Sequence, residues 1–353
     1  MRKGNEQPPQ SPPNPNHMAL SNLAKKHDNT KEDCDRICTL PSKATLTFSM
    51  QFEFEVTAIT VTKSGHYWVG TESGEIHIFD STMKLVSQFS AHAERVNALL
   101  FVPASHNHGG TDTIWSFSKG GGISCWEDAT CERTWSFEEE SPDDDLSNAY
   151  WIRVRRNSRI WSYGPTKGTD CVLRIWDPMD NTFQSVVIVP PPGCSEEVKV
   201  TTICQMGNYA VLGTQRWIYI LDGITSRTLK VWSAHSSPVH SLCTFGDKLV
   251  SIAKEIRVWA VSEEEERITK VQLHPFEGPE GTPSLGQCVN TDLWCFVSGT
   301  LSVYDSMLCE QFKSPWMDQD RVKYFLVNGN QKLICSDRRC IGLNVKEVLL
   351  NKF

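Results

Sequence analysis

The sequence has no long apolar segment and none of the short motifs that mark the common enzyme classes. No stretch approaches the roughly 18 consecutive apolar residues of a membrane-spanning helix, and the first residues lack the apolar block of a secretion signal. A nucleophile elbow (G-x-S-x-G), a zincin helix (H-E-x-x-H), a phosphate loop (G-x-x-x-x-G-K) and a dinucleotide fingerprint (G-x-G-x-x-G) are all missing. We therefore expect no secretion, no membrane span, no cofactor, no catalytic residues and no enzymatic activity.

The sequence also lacks an excess of basic residues, and its cysteines show no spacing pattern typical of a disulfide-bonded protein. The formal charge is −7, from 35 Lys and Arg against 42 Asp and Glu, which argues against nucleic-acid binding. The 13 cysteines are odd in number and scattered, which favours free thiols in a reducing compartment. Cys335 and Cys340 flank a turn and are interpreted as two buried thiols. A cytoplasmic protein is the prediction.

Two regions of different composition divide the chain. Residues 1–43 are rich in Pro, Asn, Gln and Lys and cannot bury enough surface to offset the entropy of ordering. Residues 44–353 consist of short runs of Val, Ile, Thr, Trp and Phe between Gly, Asp, Asn and Ser turns, as in all-β proteins. We predict a disordered Pro-rich tail over 1–43 and one β domain over 44–353. Binding of the tail to a proline-helix receptor stays open.

Seven similar phrases recur in the β region. Each has an apolar strand, a turn and a second strand that ends in an aromatic residue followed, in most copies, by a polar one, and the mean spacing is about 44 residues. A propeller blade of four strands occupies about 40 to 45 residues, so seven phrases predict seven blades. The phrases end at Asp80, Glu127, Asp177, Asp222, Ala260, Asp305 and Asn344.

The phrases resemble those of the WD-repeat family. Trp126-Glu127 and Trp176-Asp177 stand at the place of its Trp-Asp dipeptide, and Ala91-His92 and Ala234-His235 resemble the Gly-His dipeptide that opens a repeat. The resemblance implies a seven-bladed β-propeller that binds proteins, with an incomplete network of His-Asp hydrogen bonds. A narrower similarity is to propellers attached to Rho exchange factors, DENN-domain proteins and Roco kinases. Weaker copies of the dipeptide are Phe79-Asp80, Leu221-Asp222 and Tyr304-Asp305.

The first and last blades of a propeller must share a sheet, because no covalent bond closes the ring. The segment 44–52 precedes the first phrase and belongs to no blade of its own. We predict that it completes the last blade as its outer strand. Leu46, Phe48 and Met50 alternate along it, as a half-buried strand requires.

Tryptophan is abundant, with 12 residues, and seven of them lie inside the phrases. Because each would bury a large apolar area, we predict that they form the core between blades. Trp217 falls beside a turn, so an exposed side chain that contacts a partner is a second possibility there. The seven core candidates are Trp68, Trp115, Trp126, Trp161, Trp176, Trp259 and Trp294.

Two polar features favour solvated loops over binding sites. His106 and His108, near Cys125 and Cys131, are zinc-ligand types, but their spacing matches no closed site, so no metal site is predicted. Acidic runs are usually solvated loops, although a basic partner could dock on them. These runs are residues 138–140, 143–145 and 263–266.

The turns between the second and third strands of the predicted blades are often basic. In the resembled family these turns open on one face, so they would form a positive collar on an otherwise acidic protein. Such a collar would attract an acidic peptide, a phosphorylated loop or a lipid phosphate, although polar turns alone could also explain it. The candidate binding residues are Lys119, Lys167, Arg216, Trp217, Lys254, Arg338 and Arg339.

These patterns predict a protein-interaction scaffold or regulatory docking module in cytosolic signalling, monomeric or part of a complex. A rigid ring that presents loops would lose little ordering entropy on binding. One alternative is a phosphoinositide-binding propeller recruited to membranes, because Arg338-Arg339 partly matches the adjacent-arginine motif of that family. A second alternative is a hydrolytic propeller, although an Asp-box pattern and a triad signature are absent.

Overall fold

The structure is a computed structural model that describes residues 44–106, 110–137, 148–154, 157–164, 171–194, 196–264, 267–274, 276–278, 283–289, 291–315, 322–328 and 331–345. In these ranges 28 strands form seven antiparallel sheets of four strands each. The sheets surround one axis as the blades of a propeller, so the predicted fold is confirmed. None of the helices in these ranges is long and apolar enough to cross a membrane.

Blades one to three follow each other along the chain, and each runs from its innermost to its outermost strand. Blade one contains β2 (Val56–Val61), β3 (Tyr67–Thr71), β4 (Glu75–Phe79) and β5 (Leu85–Ser90); blade two contains β6 (Val96–Val102), β7 (Thr113–Ser118), β8 (Ile123–Glu127) and β9 (Arg133–Phe137); blade three contains β10 (Asn148–Val154), β11 (Asn157–Tyr163), β12 (Cys171–Asp177) and β13 (Thr182–Ile188).

Blades four to six repeat this order, and blade seven takes its outermost strand from the start of the described chain. Blade four contains β14 (Thr202–Met206), β15 (Tyr209–Gly213), β16 (Trp217–Asp222) and β17 (Thr228–Ser233); blade five contains β18 (Ser241–Phe245), β19 (Lys248–Ile252), β20 (Ile256–Glu264) and β21 (Arg267–His274); blade six contains β22 (Pro283–Val289), β23 (Asp292–Val297), β24 (Thr300–Tyr304) and β25 (Glu310–Pro315); blade seven contains β26 (Tyr324–Asn328), β27 (Gln331–Cys335), β28 (Arg339–Val345) and β1 (Ala44–Gln51).

The core consists of seven apolar clusters, and each cluster joins two neighbouring blades. Second strands such as β3 and β15 are buried at every position, because neighbouring blades cover both of their faces. This is why they appear in the sequence as continuous apolar runs, whereas β5 on the outside alternates between half-buried and exposed positions. The seven predicted tryptophans are all buried.

Strand β1 closes the ring as predicted. It pairs antiparallel with β28, with Met50 opposite Cys340. The chain then passes to blade one, where Phe52 N–H donates to Arg338 O over 2.7 Å. The predicted alternation is interrupted, because the register shifts between Leu46 and Phe48 and places an extra residue there. Met50 is buried, as expected.

Two local interpretations of the sequence are wrong. Cys335 and Cys340 are joined as a disulfide, because the β27–β28 register places them opposite each other with their Cα atoms 4.3 Å apart. Glu263 and Glu264 continue strand β20, because its hairpin with β21 extends that far through pairing and apolar packing. The other acidic positions of the predicted loops, 138–140, 143–145, 265 and 266, lie outside the described residues.

Candidate functional site

One face of the ring carries the described turns between second and third strands. Because every blade has the same antiparallel order, the segments that connect one blade to the next emerge on this same face. We call it the turn face. Its described turns are 72–74, 119–122, 214–216, 253–255, 298–299 and 336–338, and its described connecting segments include 52–55, 91–95 and 234–240.

The Ala-His dipeptides mark where a connecting segment contacts the preceding blade. The N–H groups of Ala91 and His92 both donate to Gly74 O, each over 3.0 Å. Gly74 has a φ of +82°, and a Cβ on it would lie 2.3 Å from His92 O, so only glycine fits this contact. In the same way, Ala234 and His235 donate to Arg216 O over 2.8 and 3.0 Å.

Each of these histidines then contacts the following blade. His92 Nε2 lies 2.7 Å from Ser116 Oγ, which also accepts a 2.8 Å hydrogen bond from Trp126 Nε1. A polar relay therefore joins the connecting segment to the second and third strands of blade two. Blade five has the same relay, with His235, Ser251 and Trp259 at 2.7 Å in both contacts.

Both histidines are neutral at pH 7. Burial, with a smaller contribution from the charge of Arg133, lowers the pKa of His92 to about 4. Burial likewise lowers the pKa of His235 to about 4, with a contribution from Arg257. These imidazoles position the segments and add no positive charge to the turn face.

Most cations of the turn face form ion pairs with carboxylates of the same face. Four of the pairs connect a turn with a connecting segment or with the adjacent strand, and the other two join residues of connecting segments, so the charges largely cancel. They are Arg95–Glu72 at 2.9 Å, Arg216–Glu196 at 3.3 Å, Lys199–Glu197 at 3.2 Å, Arg257–Glu255 at 2.5 Å, Lys323–Glu55 at 3.1 Å, and Lys323–Asp337.

Three cations of the turns differ from these. Within the described part of the chain, the side chains of Lys119, Lys254 and Arg338 form no ion pair, and all three are exposed. The backbone N–H of Lys254 donates to Ser237 Oγ over 3.2 Å. The carboxylates beside Lys254 and Arg338 are already engaged with Arg257 and Lys323, so the cations remain available to a partner.

A cleft of about 580 Å³ adjoins Lys119 on blade two. Ser90 and residues 91–94 of the connecting segment form one wall, the β7–β8 turn forms the other, and Arg133 and Phe137 of β9 complete the lining. Glu94 is the one carboxylate among its described lining residues. Gly120 and Gly121 have φ values of +89° and +86°, a conformation that suits glycine and brings the backbone of the turn to the cleft surface. The cleft thus combines two exposed cations with an aromatic ring.

The predicted binding residues are only partly brought together. Lys119 lines the cleft, whereas Arg216 is ion-paired and Trp217 is half-buried against the core between blades three and four. Arg339 begins β28 and does not belong to the turn. Lys254 and Arg338 lie on the turn face of other blades, and Lys167 lies outside the described residues.

Arg133 was not predicted as a site residue. It is the first residue of β9, at the end of that strand away from the turn face, so its place in the sequence does not indicate that its side chain lines the cleft. The register shift at Cys125/Trp126 places Arg133 opposite Trp126 and Trp135 opposite Cys125. Arg133 and Trp135 therefore lie on different faces of β9, and simple alternation along the strand could not have revealed that Arg133 lines the cleft.

Comparisons with known proteins show the same architecture. No protein-family model matches the chain, and no curated protein matches its sequence. The Cps50 (Swd1) β-propeller domain of Myceliophteria thermophila is 14% identical with a TM-score of 0.66, over 86% of this chain and 100% of that domain. The Pan2 WD40 domain of Neurospora crassa is 15% identical with a TM-score of 0.65, over 88% and 98%. The fold is that of a WD40 β-propeller.

A designed protein shares this fold as well. The computationally designed Ika8 protein is 17% identical with a TM-score of 0.56, over 84% of this chain and 98% of its own. At these identities the likeness concerns the fold alone. Among the described residues, no group of three or more His, Cys, Asp or Glu side chains is arranged to hold a metal ion, and His108 lies outside those residues.

Proposed function

We propose that this propeller is a protein-binding platform and that the blade-two cleft on its turn face is the main contact. The observation that carries the proposal is the pair of exposed cations, Lys119 and Arg133, beside a half-buried Phe137 in a cleft of about 580 Å³. Cations without a carboxylate partner can form charge-assisted hydrogen bonds without first breaking an ion pair. The partner segment we propose is acidic or phosphorylated.

The cellular setting that we propose is regulatory docking in cytosolic signalling. It is supported by the scattered cysteines, nine of which are free in the described part of the chain, and by the resemblance of the phrases to propellers of signalling proteins. Phosphoinositide binding stays an alternative. It is less favoured because Arg339 belongs to strand β28, so the turn itself carries only one of the two adjacent arginines, Arg338.

The experiment reverses charge at the cleft and, as a control, on the opposite face. The cleft variant is Lys119→Glu with Arg133→Glu, and the control is Lys84→Glu with Arg227→Glu, which are exposed residues of turns between third and outer strands. A protein captured by the wild-type chain is purified, and its Kd is measured by calorimetry against all three chains. We expect roughly tenfold weaker binding for the cleft variant only, with a loss of the salt dependence.

Equal Kd values for the cleft and control variants would contradict the proposal. Sedimentation with phosphatidylcholine vesicles, with and without a phosphoinositide, separates the lipid alternative. Binding that requires the phosphoinositide and is lost in the cleft variant would favour that alternative over a protein partner.

A further inference from the structure

Strand β13 is the outer strand of blade three and differs from the other six outer strands. An outer strand presents a row of unpaired backbone N–H and C=O groups, which proteins usually protect with charged side chains, bulges or proline. β13 (TFQSVVI) contains no charged residue and no proline. Four other outer strands, β9, β17, β21 and β25, each contain Arg or Lys, whereas β1 and β5 are uncharged like β13 and differ from it in their ladders.

The ladder between β12 and β13 is also free of bulges. It runs without a register shift from Cys171 opposite Ile188 to Asp177 opposite Thr182. A bulge twists a strand and disrupts its edge, so a continuous ladder leaves a flatter edge. Each of the other six blades has a shift between its third and outer strands, at Ile78/Phe79, Cys125/Trp126, Ile220/Leu221, Ser262/Glu263, Val303/Tyr304 and Leu46/Phe48.

Apolar side chains are exposed along the same edge. Phe183 is 41% exposed, Val187 52% and Val189 61%. Phe183 and Val187 are four residues apart and therefore lie on one face of the strand, and Val189 directly follows its last residue. This face is directed towards blade two, because the Phe183 ring lies 5.7 Å from the ring of Phe137. The alternate residues, such as Ile188, pack into the core between blades three and four.

The Phe183 side chain is held in a fixed position. Its ring packs against Trp176 with 4.5 Å between centroids, and the Arg174 guanidinium lies 5.5 Å from its centroid. The exposed row is therefore a preformed apolar surface beside an open strand edge. The two features together match what an added strand recognises, namely backbone groups for a ladder and apolar sites for alternate side chains.

We propose that β13 binds an extended segment of a partner protein as a fifth strand of blade three. The segment is uncharged and carries β-branched or aromatic residues at alternate positions, because a charge placed over Phe183 and Val187 would be desolvated without a partner. This site lies on the circumference of the ring. Phe183 contacts Phe137 of the turn-face cleft, but no residue of β13 lines that cleft.

The dimensions favour a segment over a second copy of this chain. Seven strand residues span about 23 Å. Two globular edges that meet along a strip about 10 Å wide would bury roughly 500 Å² in total, which is below the ~1,000 Å² of a stable interface. A flexible segment does not need that area, because it gains a full backbone ladder and wraps both faces of the edge.

The test uses a defined probe with the full chain, the nine-residue peptide (Thr-Val)4-Thr-amide with a fluorophore on its N-terminal amine. Its binding is measured by fluorescence anisotropy for wild type, Val187→Lys and the matched control Val86→Lys. Val86 is 56% exposed on β5, an outer strand with a bulge. We expect about tenfold weaker binding for Val187→Lys and no change for Val86→Lys.

Two N-methylated forms of the peptide test the backbone ladder on the unmodified protein. Methylation of either the odd or the even amides blocks one edge of the peptide, so one form should bind and the other should not. Hydrogen exchange of residues 182–188 should slow with the binding form. Equal affinities of the two forms, or equal effects of the two lysine variants, would overturn the proposal. A wild-type dimer in sedimentation equilibrium that Val187→Lys dissociates would also overturn it, in favour of self-association.

Discussion

Blade five and blade seven are sheets of equal size that are assembled differently. Blade five uses four consecutive strands and the relay His235–Ser251–Trp259, so its contacts are local in sequence. Blade seven combines three strands with β1 from the other end of the described chain. Its contact with blade one includes the hydroxyl of Tyr324, which donates to Thr57 O. Blade five is thus stabilised from within, whereas blade seven depends on closure of the whole ring.

The largest loss of stability is expected when the closing strand of blade seven is deleted. Deletion of residues 44–54 removes β1 together with Met50 and Phe52, which are buried in the cluster between blades seven and one. The loss of a strand and two core side chains should lower the free energy of unfolding by about 5 kcal/mol or more. Thermal melting followed by circular dichroism measures it. Deletion of residues 1–40 is the control, and equal effects of the two deletions would refute this account of closure.

Blade five can be weakened by acid. The pKa of His235 is about 4 in the folded chain and near 6.5 when unfolded, so below pH 6.5 the unfolded state binds a proton that the folded state does not. Stability should therefore fall as pH is lowered from about 6.5 to about 4, by about 2 kcal/mol between pH 7 and pH 5 for this residue.

The variant His235→Gln isolates this contribution. It should be less stable than wild type at pH 7, because the relay to Ser251 is lost, but its urea unfolding should change less between pH 7 and pH 5. Arg257 and Glu255 lie near the imidazole and shift its pKa in opposite directions, so both are left unchanged. An identical pH dependence of the variant and wild type would show that His235 is not the responsible group.

The smallest expected effect is a difference in stability between variants of two buried tryptophans. Trp259 Nε1 donates to Ser251 Oγ, whereas Trp294 Nε1 in blade six has no hydrogen-bond partner among the described residues. Trp259→Phe and Trp294→Phe remove similar volumes, but only the first removes a hydrogen bond. Trp259→Phe should therefore be destabilising by about 1 kcal/mol more, measured by urea unfolding. Equal losses would mean that the relay contributes nothing beyond packing.

Much of this fold could be predicted because each repeat shows its own strand pattern within a short stretch of sequence. The aromatic-ended phrases gave the number of blades, and the free segment 44–52 indicated the closing strand. Ala91-His92 and Ala234-His235 correctly marked the starts of blades two and five. The predicted incomplete His-Asp network corresponds in these blades to relays through Ser116 and Ser251.

The candidate site could be predicted only in part. The basic turns were visible, but the ion pair of Arg216 with Glu196 joins residues of different loops, so the sequence could not show which cations are engaged. The disulfide between Cys335 and Cys340 depended on a register that their spacing does not specify. The open edge of β13 depended on the absence of a bulge, which no residue pattern revealed.

The sequence by itself determined the number of blades, their strand order and the closing segment, because each repeat must bury the same apolar faces against its neighbours. The tertiary structure decided which charges and edges remain available for binding. Lys119 and Arg133 meet in one cleft although they lie in separate turns and strands, and Val187 is exposed because no strand covers β13 in the described fold. Such properties depend on distances between loops and on register, which local sequence does not encode.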